Sequence, residues 1–262
     1  MDIEKLKALQ ESIDLQAKKE IYDDLPQSLI NFLKDDILHH SLDEVKTRNN
    51  SNQSARVLNN WIEQGILNVD ENDKGKINRF SREEAIWLNL LNELRSFGVS
   101  IEKLKIIREA LYKEYFPAFT LFRFSIVRTI LEHDQTLIVF SDGSIKLISS
   151  NLYGDWSKLR MLPPYIHINF AILINEIFPQ NSFATTVQNT ELVMNKSIVK
   201  VFYFLKTGDF DTLKFEIQEG DVRLIENINQ FLSNQTLIEA IITEKYFKIE
   251  VVSNGKKFII KA

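Results

Sequence analysis

The chain has no cysteine, which removes disulfides, thiolate metal sites and cysteine nucleophiles together. It has no surplus of positive charge either: Lys and Arg number 32 against 36 Asp and Glu, a formal net charge of -4. Coating nucleic acid through bulk charge is therefore excluded, but site-specific binding is not, because phosphate neutralisation depends on the surface that meets the strand. No apolar run is long enough to span a bilayer; the strongest, INFAILINEIF, is interrupted by Asn175 and Glu176. The opening MDIEKLKALQESIDLQ lacks the apolar core of a signal peptide. There is no glycine-rich phosphate loop and no serine-nucleophile motif, and the adjacent His133 and Asp134 read as a helix-end feature. These absences predict a cytoplasmic protein without membrane partner, catalytic residues, metal or cofactor.

What is present fits a globular chain, with 262 residues giving room for at least two compact domains. In residues 2–22, Ile3, Leu6, Leu9, Ile13 and Leu15 recur at roughly helical spacing, which predicts an amphipathic helix packed on its own chain or on a dimer mate. Pro26 punctuates the chain, and Leu29 to Leu38 predicts a second short helix before His39 and His40. Adjacent histidines point to different helix faces or opposite strand faces, and no carboxylate or third ligand is expected nearby at a zinc-site spacing.

The most informative stretch runs from Asn49 to Leu111. Ser41 with Glu44 has the form of a capping box, predicting a helix from Ser41 to about Arg48 as the first of a helix-turn-helix. Asn49, Asn50, Ser51 and Asn52 supply turn chemistry. Ser54 caps a second helix whose Val57, Leu58, Trp61 and Ile62 share one face, leaving Arg56, Asn59, Asn60 and Glu63 on the other, and Gly65 stops it. Two strand-like runs, ILNV and INRF, flank a tip carrying Lys74, Gly75 and Lys76, which predicts a hairpin wing. Ser81 with Glu84 opens a helix burying Ala85, Leu88, Leu91 and Leu94; Gly98 ends it, and Ser100 caps a helix with Ile101, Leu104, Ile107 and Leu111 inward. Trp61 and Phe80 fall on the apolar sides of their elements and are expected in the core.

This order of elements resembles the MerR family of bacterial transcription regulators. The likeness is carried by Ser54, Arg56, Leu58, Trp61, Gly65, Ile66 and Leu67, by Arg79, Phe80 and Ser81, and by LNELRSFGVSIEKLKII from Leu91 to Ile107. It implies a winged helix-turn-helix that binds double-stranded DNA as a dimer. Gln53, Ser54, Arg56, Asn59 and Asn60 are the candidates for the major groove, where Arg addresses guanine or phosphate and Asn addresses adenine. Lys74, Lys76 and Arg79 are candidates for phosphate contacts beside it. Asn59 and Asn60 replace the arginine and tyrosine usual in the family, and Pro117 interrupts the region where the family has a long dimerisation helix.

Beyond it, Tyr115, Phe116, Phe119, Phe122 and Phe124 predict a packed interdomain core. Three segments then repeat one pattern of helix, strand, tight turn and strand: SIVRTILEHDQTLIVFSDGSIKLIS, SIVKVFYFLKTGDFDTLKFEIQEGDVRLIE and TLIEAIITEKYFKIEVVSNGKKFIIKA. Their turns carry Asp142-Gly143, Gly220-Asp221 and Asn254-Gly255. An irregular insertion with Tyr153, Trp156, Met161, Pro163 and Pro164 comes after the first copy, then a helix from His167 to Phe178. The fold class expected is α+β: a mainly helical N-terminal winged helix-turn-helix and a C-terminal antiparallel sheet of helix-hairpin units with helices on one side. The domains expected are a helical extension over 1–40, the winged helix-turn-helix over 41–114, and an α+β effector or interaction domain over 115–262. The function expected is sequence-specific DNA-binding regulation, with a small-molecule or protein effector acting on the C-terminal domain. The alternatives are an architectural or recombination-directing DNA binder of a mobile element, and a protein-interaction module whose winged helix no longer binds DNA.

Overall fold

The computed structural model describes residues 25–48, 53–69, 79–116, 119–131, 135–149, 153–154, 158, 163–178 and 195–262. The helix expected over 2–22, the turn at 49–52, the wing tip with Lys74 and Lys76, Pro117, the His133 and Asp134 pair, and Trp156 and Met161 lie outside these residues.

Pro26 leads into α1 (Gln27–Leu33), which buries Leu29, Phe32 and Leu33. The single helix expected through Leu38 is broken at Lys34 and Asp35. There the Asp35 carboxylate accepts from Ile37 N at 3.0 Å and starts a new short helix, α2 (Asp36–His39). The chain then widens into one π-helical turn, His40–Glu44, closed by Val45 N donating to His40 O at 3.0 Å.

That turn overturns the helix expected from Ser41 to Arg48. Ser41 is not a cap: its hydroxyl is buried and donates to Asp209 Oδ2 at 2.7 Å. Val45 is extended, and the next residues form β1 (Lys46–Arg48). Capping chemistry is local, and here a buried carboxylate far along the chain competes for the hydroxyl and wins.

Next come α3 (Ala55–Glu63), β2 (Arg79–Ser81), α4 (Arg82–Ser96) and α5 (Ile101–Tyr112). β2 pairs antiparallel with β1, not with the run ILNV. Ile66 and Leu67 of that run are both buried in the turn leaving α3, and Asn68 N donates to Glu84 Oε1 at 2.6 Å instead of to a strand neighbour. α4 is the central helix: besides the expected Ala85, Leu88, Leu91 and Leu94 it buries Ile86, Trp87 and Leu90. α5 ends at Tyr112, so no long arm continues from it. β3 (Glu114–Phe116) and β4 (Phe119–Thr120) turn the chain back into α6 (Leu121–Leu131).

The aromatic segment packs as expected. Tyr115 and Phe119 stack on Phe124, and Phe122 lies edge-on to Trp87 at 6.3 Å and to Phe170 at 5.6 Å. Edge-to-face contacts of this kind add to area burial because the ring edge is positive and its face negative.

All three helix-hairpin units are present. α6 feeds β5 (Gln135–Phe140) and β6 (Ile145–Ser149). After β7 (Tyr165–Asn169) and α7 (Phe170–Asn175), α8 (Lys196–Thr207) feeds β8 (Thr212–Glu216) and β9 (Val222–Leu224). The short α9 (Ile228–Leu232) precedes α10 (Gln235–Ile242), which feeds β10 (Lys248–Ser253) and β11 (Lys256–Ile260). Gly143, Gly220 and Gly255 all have positive φ at the turns, and Asn254 joins them at φ 49.

Among the described residues the helix-hairpin units fall into two antiparallel sheets, in place of the single one expected: β6-β5-β7 and β11-β10-β8-β9. Residues 165–169, three of which are expected to begin a helix, extend instead as β7 along the side of β5 away from β6, making β5 the central strand of the first sheet. The helix starts only at Phe170, capped by the Asn169 carboxamide accepting from Ala171 N at 2.8 Å.

Candidate nucleic-acid interface

α3 is an amphipathic helix. The Ser54 hydroxyl accepts from Val57 N at 3.4 Å, giving the cap expected of it. Leu58 and Trp61 are buried, with Val57 and Ile62 packed half-buried beside them. Ser54, Arg56, Asn59, Asn60 and Glu63 are exposed, and Gln53 is half-buried at the N-terminal edge. Gly65, at φ +70, lets the chain reverse, and Ile66 N and Leu67 N both donate back to Trp61 O.

The segment leaving the helix is bolted to α4. Trp87 Nε1 donates to Ile66 O at 2.7 Å, and the Glu84 carboxylate receives Asn68 N through one oxygen and Arg108 Nη2 at 3.0 Å through the other. The Arg108 guanidinium lies over the Tyr112 ring at 4.3 Å. Ser81 Oγ accepts from Glu84 N at 3.2 Å, the expected cap of α4, but the Glu84 side chain turns inward to this network and not back to Ser81. Burial raises the Glu84 carboxyl above the ordinary carboxylate value, against the pull of Arg108. The exposed polar face of α3 is therefore held by the helix's own apolar side and by a tied exit.

Beside it lies the β1–β2 ribbon. Its register sets Arg48 directly opposite Arg79, both exposed, while Phe80 is buried beneath. Two guanidinium groups directly across an antiparallel pair repel each other unless an anion lies between or above them. Arg79, expected from its motif to contact phosphate, is exposed at the start of β2. Arg48 escapes that reading, because the sequence places it at the end of a helix, and only the strand pairing reveals it. A cleft of about 580 Å3 separates α3 from the end of α4, lined by Gln53, Arg56 and Asn60 on one side and Asn92, Arg95 and Ser96 on the other. Arg95 Nη1 donates to Val99 O at 2.6 Å, which holds it beside that cleft. Asn92 Oδ1 is buried there with no hydrogen-bond partner among the described residues.

Lys74 and Lys76 cannot be placed on this surface, since 70–78 lie outside the described residues. The histidines stand elsewhere. His39 Nδ1 meets Asp43 Oδ2 and His40 Nδ1 meets Glu44 Oε2, each at 2.6 Å and one turn on. Those carboxylates stand in the sequence at helical spacing, but the expected start of a helix at Ser41 hides the pairing. Among the described residues no helix is long and apolar enough to cross a membrane.

Comparison with known families bears on the same stretch. Residues 46–111 match the family described as MerR HTH family regulatory protein, from β1 to the end of the α5 apolar stripe. No curated protein and no solved structure matches the chain. This quarter of the chain is thus similar to the MerR-type DNA-binding region, and the match supports a DNA-binding transcription regulator.

Proposed function

We propose that the chain is a sequence-specific DNA-binding regulator. In this reading α3 enters the major groove and the β1–β2 ribbon grips flanking phosphates, while residues 115–262 serve as a sensing or protein-contact domain. The observation that carries this reading is the division of α3 into two faces. Leu58 and Trp61 are fixed in the core, and Arg56, Asn59 and Asn60 stand exposed on the opposite side next to Gln53 and Ser54. Arginine and asparagine are the side chains that address guanine and adenine bidentately in that groove. Arg79 serves as a phosphate contact, with Arg48 added by its position opposite, and the same role is assigned to Lys74 and Lys76 from their place in the sequence. A homodimer would let two such helices read two half-sites.

The test is selection of duplexes from a random pool by the purified full chain, followed by retardation of the enriched duplex. Parent protein is expected to retain it, and Arg56→Ala to weaken retention without lowering the thermal unfolding midpoint. A pool that never enriches above background would instead favour the protein-interaction reading of the helix-turn-helix.

A further inference from the structure

We propose that a groove between the α4–α5 turn and the three-stranded sheet is an effector site for a small planar apolar molecule bearing one acidic group. The word effector rests on the regulator reading above; the ligand chemistry does not. The groove measures about 310 Å3, at the lower end of the roughly 300–1,000 Å3 of small-molecule sites. Phe97 and Val99 form one wall, from the turn between α4 and α5. Phe140, at the end of β5, and Pro164 and Tyr165, where β7 begins, form the other. Lys103 on α5 is the one charged side chain lining it among the described residues.

Two observations point to an occupant. Phe97 is 61% exposed at the groove, although it caps a helix that is largely buried. An aromatic ring open to water at a concave, aromatic-walled position gains from being covered by another apolar face. Lys103 then selects for charge. The neighbouring carboxylate, Asp142 at the β5–β6 turn, accepts from Ser144 N at 2.9 Å and Ser144 Oγ at 2.7 Å, both through Oδ1; these bonds and, more weakly, the Lys103 charge hold its carboxyl below the ordinary value, while no ion pair joins the two side chains. An acidic group on the ligand gives the ammonium a charge-assisted partner in a partly dried site. Rings for the walls and one anion for Lys103 define the class.

The position also makes ligand binding consequential. A Cβ at Gly143 would stand 3.5 Å from Lys103 Cβ, so the hairpin tip already touches α5, and a ligand in the groove would bear on both bodies at once. Arg95, two residues before Phe97, lines the cleft that also holds Arg56. A ligand that favours one setting of this turn changes DNA affinity by its differential affinity for the two settings.

The probe is 8-anilinonaphthalene-1-sulfonate, which joins flat apolar rings to one sulfonate, with N-phenyl-1-naphthylamine as its uncharged counterpart. Each is titrated by fluorescence into the full chain, into Lys103→Glu and Phe97→Ser, and into Lys245→Glu as a remote exposed control; thermal unfolding is followed for all four. Saturable one-to-one binding of the sulfonate to parent and control is expected, tighter than that of the neutral probe. Lys103→Glu should weaken it by about tenfold, the scale of one charged hydrogen bond removed, and Phe97→Ser should weaken both probes. Absence of saturable binding, equal isotherms for parent and Lys103→Glu, or no preference for the charged probe would each overturn the proposal. Lys103→Glu changes an exposed side chain, so it decides the matter even if Phe97→Ser unfolds. DNA retardation is measured separately and without probe. Its failure would end the regulator reading while leaving the probe isotherms to stand or fall alone.

Discussion

Arg82 and Asp209, 127 residues apart in sequence, form a buried two-point ion pair, with Arg82 Nη2 at 2.8 Å from Asp209 Oδ1 and Nη1 on Oδ2. Arg82 is the first residue of α4, directly after the strand that carries Arg79, and Asp209 comes after the left-handed Gly208 that ends α8. Ser41 Oγ and Asn254 Nδ2 donate to the same carboxylate, and Tyr203 OH donates to Ser41 Oγ at 2.9 Å. Burial, and then the Asp209 charge, push the Tyr203 hydroxyl far above its ordinary range, so it stays a donor. One polar knot thus joins the π turn, the start of α4, the end of α8 and the last hairpin.

Breaking that pair from one side should be costly. Asp209→Ala leaves the Arg82 guanidinium buried without its counter-charge, and the expected loss is about 3–5 kcal/mol in urea unfolding. Replacing both partners by apolar groups, as in Arg82→Met with Asp209→Leu, removes the stranded charge and should lose less than the single change. A double variant as unstable as Asp209→Ala would show that the pair's charges are not what the knot depends on.

The same knot marks where sequence reading stops. Ser54, Ser81 and Ser100 are legible as caps because each meets a backbone N–H three residues on, within one turn. Ser41 with Glu44 carries an identical local pattern, yet its hydroxyl is claimed by partners 162 and 168 residues away, which no window of sequence contains. Asn254-Gly255 is legible for the same local reason as the caps. The run Tyr165–Asn169 is not, because what makes it a strand is the vacant side of β5. Of the interface, the faces of α3 come from period and caps. Arg48 opposite Arg79 requires the pairing of two strands separated by the whole of α3.

Glu84 gives a pH dependence with a definite sign. Burial raises its folded-state pKa above the ordinary 4.5, with Arg108 opposing. The folded chain therefore holds that proton to higher pH than the unfolded chain, so this group's contribution is full below 4.5 and is lost as pH rises through the folded value. In Glu84→Gln the contribution is absent at every pH. The thermal-midpoint advantage of parent over variant should shrink from pH about 4 to about 7. An advantage that grows over that range would contradict a raised Glu84.

Arg48 and Arg79 should behave as phosphate contacts that cost the free protein something. Substituting either with Ala relieves like-charge repulsion across the ribbon, so thermal stability should hold or rise slightly. DNA affinity should fall for every sequence alike, and the slope of log affinity against log salt should shrink by about 0.9 for each phosphate no longer neutralised. Retardation titrations at several salt concentrations measure both quantities. Parallel slopes for parent and Arg48→Ala would remove Arg48 from the interface.

Asn59 and Asn60 should act on base choice and not on overall grip. Both are exposed on α3 and neither supports the core, so Asn59→Ala and Asn60→Ala are expected to leave the unfolding midpoint unchanged. A carboxamide paired bidentately with adenine discriminates by about 1–3 kcal/mol against the wrong base. Each substitution should therefore flatten the preference at one position of the selected duplex, while affinity for unrelated duplexes and its salt dependence stay as in the parent. Repeating the duplex selection with each variant reads this directly, since a flattened column appears in the aligned sequences. Because successive residues of a helix are turned by about 100° from each other, the two columns should differ if both side chains reach bases. An unchanged preference for one variant would assign that asparagine to the solvated rim of the helix and leave the reading to Arg56 and the other.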